Sequence, residues 1–269
     1  MVMNDKKLQE KLDVLAGSSS KFFHENESNK KPYFDRKEIH VGKLLGVGGF
    51  CDVSEICNFN LNNHGQDMEK RELPMIQRGE YNDVNDSDDV SNGDCYDYMN
   101  RPETRVYMSE NLLRGRDARY AIKMLRKDLD MAVRQQGKLD LAIEVKFLEV
   151  ISHPNIVKMR GISSGEAIQN DYFLILDRLY ETLEEKISNE WAQEHNLCRV
   201  SFILGCRKSK KKIARRKDFL IKRIVVALDL ACALRYLHQN LLIYRDIKSE
   251  NIGFDVRVCS DSPFFVQCT

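Results

Sequence analysis

The sequence predicts an α+β fold with two lobes, a small β-rich lobe with one helix followed by a helical portion. Strand-like apolar runs dominate the chain as far as residue 179 and enclose a single helical pattern. The longest helical pattern, at residues 218–238, comes only after these strands. With 269 residues, 42% of them apolar and 31% charged, the chain can bury a substantial core in one large domain or two small ones.

Five strands and two helices are expected in the patterned region. The strands are predicted where apolar residues run between turn signals, at 39–45, 53–59, 119–125, 156–162 and 172–179. The first helix, 139–151, has apolar residues on one helical face and ends before His153 and Pro154, because proline disfavours helical geometry in the residue preceding it. The second helix, 218–238, is apolar nearly all round and is expected at the centre of a core.

Composition narrows the class of protein. A net charge of +1, from 42 Lys+Arg against 41 Asp+Glu, argues against a nucleic-acid partner. The eight cysteines show no zinc-type spacing, which favours free thiols in a reducing compartment. The first 20 residues lack the apolar core of a secretory signal, and no apolar run is uncharged enough to span a bilayer. We therefore expect an intracellular protein, cytoplasmic or nuclear, and the sequence does not indicate its oligomeric state.

Less patterned segments flank and interrupt these elements. Residues 1–37 are polar and predict a disordered arm, and residues 257–269 are expected to form an irregular tail. An insert at about 60–117 carries eight acidic residues against one base between residues 80 and 103. Such a run of like charge repels itself and favours a solvated loop.

A second insert, at about 188–217, is basic. It holds eight bases and no acid between residues 207 and 217. We interpret this run as a solvated insert that the acidic loop could attract. Binding of nucleic acid or anionic lipid, or a nuclear-import role, stays an alternative, although the run has no interleaved aromatic residues for base stacking.

A glycine-rich turn joins the first two predicted strands through Gly46, Gly48 and Gly49. Glycines at alternate positions let backbone N–H groups approach an anion such as a phosphate closely. The alternative is a turn in which glycine serves geometry alone. A dinucleotide-binding fold requires a helix after such a turn, and the strand that follows here argues against that fold.

Two further signals involve charged residues. Lys123 lies among apolar residues of a predicted strand, and an inward-facing lysine there would need an acidic partner, which Glu144 on the next helix can supply. In the run 244–251 (YRDIKSEN), an acid, a base and a carboxamide follow at short spacing as Asp246, Lys248 and Asn251. Phosphoryl transfer needs such a set: a proton acceptor, a cation for the developing charge and an oxygen ligand for Mg²⁺.

Taken together, these residues resemble the eukaryotic protein kinase family, serine/threonine type. The resemblance covers about residues 38–256 and implies a kinase-like two-lobe fold with a complete small lobe and only the start of the helical lobe. It implies ATP-dependent phosphoryl transfer to protein serine/threonine hydroxyls, with ATP and Mg²⁺ as cofactors and a protein substrate as partner.

The family pattern also assigns roles by position. Asp246 would be the catalytic base, Lys248 the phosphate-contacting lysine, Asn251 a Mg²⁺ ligand and Leu176 the gatekeeper. The ATP-binding residues that the resemblance implies are Gly46, Gly48, Gly49, Val53, Ala121, Lys123, Glu144, Asp177 and Leu179. Two positions depart from the pattern, since Cys51 stands at the third loop glycine and Tyr244 at the usual histidine.

The family's D-F-G motif has no counterpart at its usual spacing. Residues 262–265 read SPFF there, and Asp261 is the nearest acid. We therefore expect a truncated domain with little catalytic activity, because the D-F-G aspartate holds a metal that bridges the phosphates. Loss of the later helices would also uncover an apolar patch on the helix 218–238. The alternative function is a pseudokinase that binds nucleotide or docks partners without catalysis.

Overall fold

The computed structural model describes residues 31–61, 102–167, 169–193, 210–255 and 265–268. Its helices are α1 (Pro102–Glu110), α2 (Met131–Val150), α3 (Leu183–Lys186), which continues as a π-helical turn at Ile187–Trp191, and α4 (Lys210–Gln239). Its strands are β1 (Tyr33–Phe34), β2 (Ile39–Val47), β3 (Cys51–Phe59), β4 (Leu113–Arg114), β5 (Asp117–Ala118), β6 (Tyr120–Leu125), β7 (Met159–Ser163), β8 (Phe173–Asp177), β9 (Glu181–Thr182), β10 (Ile252–Asp255) and β11 (Phe265–Cys268). The predicted α+β class is confirmed.

A six-stranded sheet forms the first lobe, in the order β1-β7-β8-β6-β3-β2. Its strands pair antiparallel except at one edge, where β1 lies parallel to β7. Every residue of the central strand β8 is buried. A strand covered on both faces is expected to be apolar without interruption, which explains why this part of the sequence shows no alternation.

Both faces of the sheet are covered by helices. On one face, Leu174 and Leu176 of β8 pack with Leu141 and Val145 of α2. On the other face, the aromatic and aliphatic residues of the sheet pack with Met108 of α1, which is 3% exposed. The sheet is therefore the middle of three layers, and side chains that alternate along a strand enter separate cores.

The second lobe is built around α4. Val226, Ala233 and Leu237 of this helix pack against Ile252 and Phe254 of β10. Strand β10 is the centre of a three-stranded sheet, between β11 and β9. The opposite side of α4 is exposed, in keeping with the uncovered patch expected from the sequence, at Ile213, Leu220, Ile221, Ile224 and Leu228. Among the residues that the structure describes, no helix is both long enough and apolar enough to cross a membrane.

The insert expected at about 60–117 contains regular structure near its end. Residues Pro102–Glu110 form α1, and β4 and β5 make a short hairpin. These elements gain their stability from the sheet rather than from local periodicity, because Met108 is buried there and Arg105 forms an ion pair with Glu38 at 2.5 Å. The acidic loop itself, up to residue 101, lies outside the described residues.

Three other boundaries differ from the sequence-based expectation. The end of the expected arm contains β1, because Phe34 is completely buried beneath the sheet. The basic run from Lys210 onward is helical, since Lys and Arg are good helix formers that extend α4 toward its N-terminus. In the expected irregular tail, Phe265–Cys268 pairs antiparallel with β10. Residues 1–30, 194–209 and 256–264 lie outside the described part of the chain.

The helix expected at 139–151 begins earlier, at Met131. Asp130 caps it, because its carboxylate accepts hydrogen bonds from the backbone N–H groups of Ala132 and Val133, each at 3.0 Å. The first two turns contain polar residues and Gly137, which hide the helical period in the sequence. This earlier start matters for the site because it brings α2 alongside the glycine-rich turn.

Candidate functional site

The structure brings Lys123 and Glu144 together. Lys123 lies on β6 opposite Val53 of β3, and Glu144 projects from α2. The ammonium Nζ lies 2.7 Å from each carboxylate oxygen, with the side chains 23% and 27% exposed. A half-buried ion pair holds the lysine in one orientation while its remaining hydrogen-bond donors stay accessible to an anion.

The glycine-rich turn is the tip of the hairpin formed by β2 and β3. Its N–H at Gly48 donates to the carbonyl of Cys51 at 2.7 Å, and a Cβ at Gly48 would lie 3.0 Å from that oxygen. At Gly46 and Gly49, an added Cβ would meet nothing within 4 Å. The strand–turn–strand arrangement excludes a dinucleotide-binding turn of the strand–turn–helix kind, as the sequence indicated. Backbone N–H groups at such a tip can contact phosphate oxygens.

The hairpin tip is anchored on its neighbours. Arg126 donates from Nη1 to the carbonyl of Gly48 at 3.2 Å, and its backbone N–H donates to the carbonyl of Phe50 at 3.0 Å. The Phe50 side chain packs so close to α2 that a Cβ at Gly137 would lie 3.0 Å from it. Neither Arg126 nor Gly137 was among the residues singled out in the sequence, and no local pattern marks them.

Cys51, at the place of the third loop glycine, is buried at the start of β3. Burial raises the pKa of its thiol to about 11, against an opposing effect of the nearby Lys123 ammonium. The thiol is therefore protonated at neutral pH and lacks the thiolate that nucleophilic chemistry needs. Its side chain packs in the core between the sheet and α2.

The last residue of β8 and the three residues that follow it connect the two lobes and are called the hinge here (residues 177–180). Ala121 is paired with Leu176 across β6 and β8, and both are buried on the sheet. Leu179 lies against β10, where a Cβ at Gly253 would be 2.5 Å from its Cδ1. A glycine inside a strand often marks such a close approach, so this contact had a sequence signal.

The carboxylate of Asp177 is buried and paired within the first lobe. The carboxylate receives two hydrogen bonds from the Arg160 guanidinium, at 2.8 and 2.6 Å, and is 4% exposed. Its backbone N–H donates to the carbonyl of Lys158 at 3.0 Å. Any contact between Asp177 and a nucleotide would therefore use its backbone carbonyl. Sequence reasoning identified the position but missed Arg160 as its partner.

Asp246, Lys248 and Asn251 converge in the loop between α4 and β10. The Asn251 carboxamide donates from Nδ2 to the Asp246 carboxylate at 2.7 Å and to its backbone carbonyl at 3.0 Å. The Lys248 ammonium lies 3.3 Å from the same carboxylate, and Asp246 is 67% exposed. An exposed carboxylate held by an amide and an ammonium can accept a proton from a hydroxyl group.

Contacts on both sides hold this loop in place. A 3₁₀ turn at Ser249–Asn251 is closed by the Asn251 N–H, which donates to the carbonyl of Lys248 at 3.0 Å. The Ser249 hydroxyl donates to the Glu184 carboxylate of α3 at 2.7 Å. The buried strand β10 follows immediately and ties the loop to the core of the second lobe.

The donor chemistry of this loop fits Mg²⁺. This ion prefers oxygen ligands and is commonly held by one or two protein groups together with phosphates and water. The Asn251 carboxamide oxygen and the Asp246 carboxylate are such donors. Among the described residues, no group of three or more His, Cys, Asp or Glu side chains could hold a metal ion. Asp261, the nearest acid to the family's D-F-G position, lies outside the described residues.

Comparison with known proteins shows what the chain is similar to. The family model described as protein kinase domain matches residues 105–259, more than half of the chain. A probable serine/threonine-protein kinase, kinY of Dictyostelium discoideum, is 33% identical over 113 residues, which are 42% of this chain and 17% of that protein. The probable serine/threonine-protein kinase PBL20 of Arabidopsis thaliana is 29% identical over 117 residues, 44% of this chain and 24% of that protein. The chain thus spans less than a quarter of the length of these relatives.

Proposed function

The chain belongs to the protein kinase domain family, and from this premise we propose that it transfers the γ-phosphoryl group of ATP to serine or threonine hydroxyls of a protein substrate. The observation that carries the proposal is the half-buried ion pair of Lys123 with Glu144, next to the strand that follows the glycine hairpin. An inward-facing ammonium beside a glycine turn suits a triphosphate better than it suits an uncharged ligand.

In this proposal, separate groups of residues contact the adenine and the phosphates of the nucleotide. The adenine would lie between the apolar surfaces of Val53, Ala121 and Leu179, next to the backbone of the hinge. The backbone N–H groups of Arg178 and Tyr180, on either side of Leu179, already donate hydrogen bonds within the protein. Arg178 donates to the carbonyl of Arg119 and Tyr180 to the carbonyl of Phe254, each at 2.9 Å. The phosphates would extend beneath the hairpin toward the Lys123 ammonium.

The transfer step that we propose uses the residues of the loop between α4 and β10. The substrate hydroxyl oxygen forms a bond to the γ-phosphorus as the bond from that phosphorus to the ADP oxygen breaks, and Asp246 accepts the hydroxyl proton. Lys248 stabilises the charge that develops on the transferred group. Asn251 would hold Mg²⁺, which would supply positive charge to neutralise the phosphates. Asn251 also orients Asp246 through the hydrogen bond at 2.7 Å.

Radiolabelled phosphate transfer from ATP to a generic basic protein tests this function. Replacing the proposed base in Asp246→Asn keeps its size but removes the proton acceptor, and we expect transfer to fall by about 10² to 10⁴-fold. Asp171→Asn is the matched control, since Asp171 is exposed on the turn before β8. Measurable transfer that is equal in wild type and Asp246→Asn would refute the role of Asp246.

A second candidate function is nucleotide binding without catalysis. It is favoured by the sequence at residues 262–265 (SPFF), which stands where the family has its D-F-G motif. The aspartate of that motif holds a metal that bridges the β- and γ-phosphates, and catalysis depends on it. An ATP-induced rise in melting temperature that requires Mg²⁺ would count against this candidate, and a rise without metal would favour it.

A further inference from the structure

The short hairpin of β4 and β5 reaches from the first lobe to the second. It belongs to the segment just before β6 and turns at Gly115, which has a φ of 66°. Arg114 is the last residue of β4 and pairs with Asp117 of β5. The Arg114 guanidinium donates to the carboxylate of Asp255, the last residue of β10. These two residues are 141 positions apart in the chain and belong to different lobes.

Both partners of this ion pair are shielded from water. The Arg114 side chain is 19% exposed and the Asp255 side chain only 4%. Removing one partner weakens the compensation of the buried charge on the other, and this costs free energy. A surface ion pair would not have this consequence, because water replaces the lost partner there.

The pair lies beside the hinge. The Tyr180 hydroxyl donates to the carbonyl of Ala118 in β5 at 3.2 Å, and the Tyr180 N–H donates to the carbonyl of Phe254 in β10 at 2.9 Å. One hinge residue thus contacts the hairpin through its side chain and the second lobe through its backbone. Arg114 and Asp255 join the same two elements directly.

We propose that the hairpin of β4 and β5 is a tether between the lobes, with Arg114 as a positioning residue that fixes the hinge through its ion pair with Asp255. The tether holds Leu179 and its neighbours at one distance from the sheet, and so defines the width of the nucleotide cleft. The effect on nucleotide affinity rests on the proposed function, whereas the effect on hinge mobility does not.

Amide hydrogen exchange of the hinge without nucleotide tests the tether. We expect Arg114→Ala to speed exchange in peptides covering residues 176–182 by about tenfold or more, while exchange in the β6 and α2 cores changes far less. Arg116→Ala is the matched control, because Arg116 is exposed on the same hairpin. It should leave hinge exchange within about twofold of wild type.

Two more variants separate the ion pair from general damage to the fold. Asp255→Asn keeps the size of the side chain and should speed amide exchange in the hinge as Arg114→Ala does. If Arg114→Ala does not fold, Asp255→Asn provides the test. Arg114→Lys keeps the charge and should restore part of the wild-type protection. The increase in hinge exchange in the double variant should be smaller than the product of the two single increases, because both substitutions remove the same ion pair.

The affinity of the variants for ATP tests whether the tether also affects nucleotide binding. Calorimetry with ATP should show weaker binding by Arg114→Ala than by Arg116→Ala. Hinge exchange in Arg114→Ala and Asp255→Asn that matches the Arg116→Ala control would overturn the tether. A wild-type chain that binds no ATP would instead refute the proposed function, and the exchange result would still decide whether the tether exists.

Discussion

Replacing Gly253, in the second lobe, by alanine is expected to displace the hinge. Gly253 lies in β10, paired with Thr182 of β9. An added Cβ would lie 2.5 Å from Cδ1 of Leu179 and 2.9 Å from its Cβ. The Cδ1 atom can rotate away, but the Cβ atom moves only with the backbone of the hinge.

The size of the effect follows from these distances. Ordinary van der Waals contact begins at 3.4 Å, so the Leu179 Cβ must retreat by 3.4 − 2.9 = 0.5 Å. The neighbouring hydrogen bond from the Tyr180 N–H to Phe254, at 2.9 Å, resists this movement. Overpacking of this kind costs about 1–3 kcal/mol, and we expect Gly253→Ala to lower the free energy of unfolding by that amount.

Urea denaturation followed by circular dichroism measures this loss. Gly49→Ala is the matched control, because its Cβ would meet nothing within 4 Å. That substitution should leave the free energy of unfolding unchanged or raise it by about 0.4–1 kcal/mol, through the reduced entropy of the unfolded chain. Gly253→Ala with the stability of Gly49→Ala would refute the close contact between the hinge and β10.

Met108→Ala should lower the free energy of unfolding in urea by about 2–5 kcal/mol, since Met108 is buried on the sheet. Val106→Ala on the same helix, at a side chain 44% exposed, should cost under about 0.5 kcal/mol, and equal losses would contradict the placement of α1. Burial, with the Arg235 charge, lowers the pKa of His153, whose Nδ1 accepts the Asn155 N–H at 3.1 Å. Its stabilisation is therefore present above the unfolded pKa and lost as pH falls through the lowered folded value. His153→Gln should flatten the stability curve between about pH 7 and pH 5, and parallel curves would contradict this.

Local signals in the sequence were enough to locate the candidate site. Alternating residues place Lys123 on a strand, the spacing of apolar residues places Glu144 on a helix, and the short run from Asp246 to Asn251 is read directly. Each of these signals can be recognised from residues only a few positions away in the sequence. The α+β class follows from the same kind of information, because the order of the strands and helices already implies it.

Contacts between distant residues could not be predicted in this way. The pairing of Arg114 with Asp255 joins two positions that no periodicity relates. The helix α1 has little amphipathic character of its own and is defined by the burial of Met108 against the sheet. Similarly, Arg160 holds the Asp177 carboxylate across two strands, and only the register of β7 and β8 reveals it. Tertiary contact, which decides these features, leaves no mark in a local window.

The central claim is that the Lys123 ammonium, held by Glu144, grips the phosphates of a nucleotide. Calorimetric affinities for ATP and for adenosine, measured on wild type and Lys123→Met, test it most directly. A charge-assisted hydrogen bond is worth about 1.5–3 kcal/mol, so the variant should bind ATP about 10- to 100-fold more weakly and adenosine as tightly as wild type. Equal ATP affinity in the two proteins, or an equal loss for both ligands, would contradict the account.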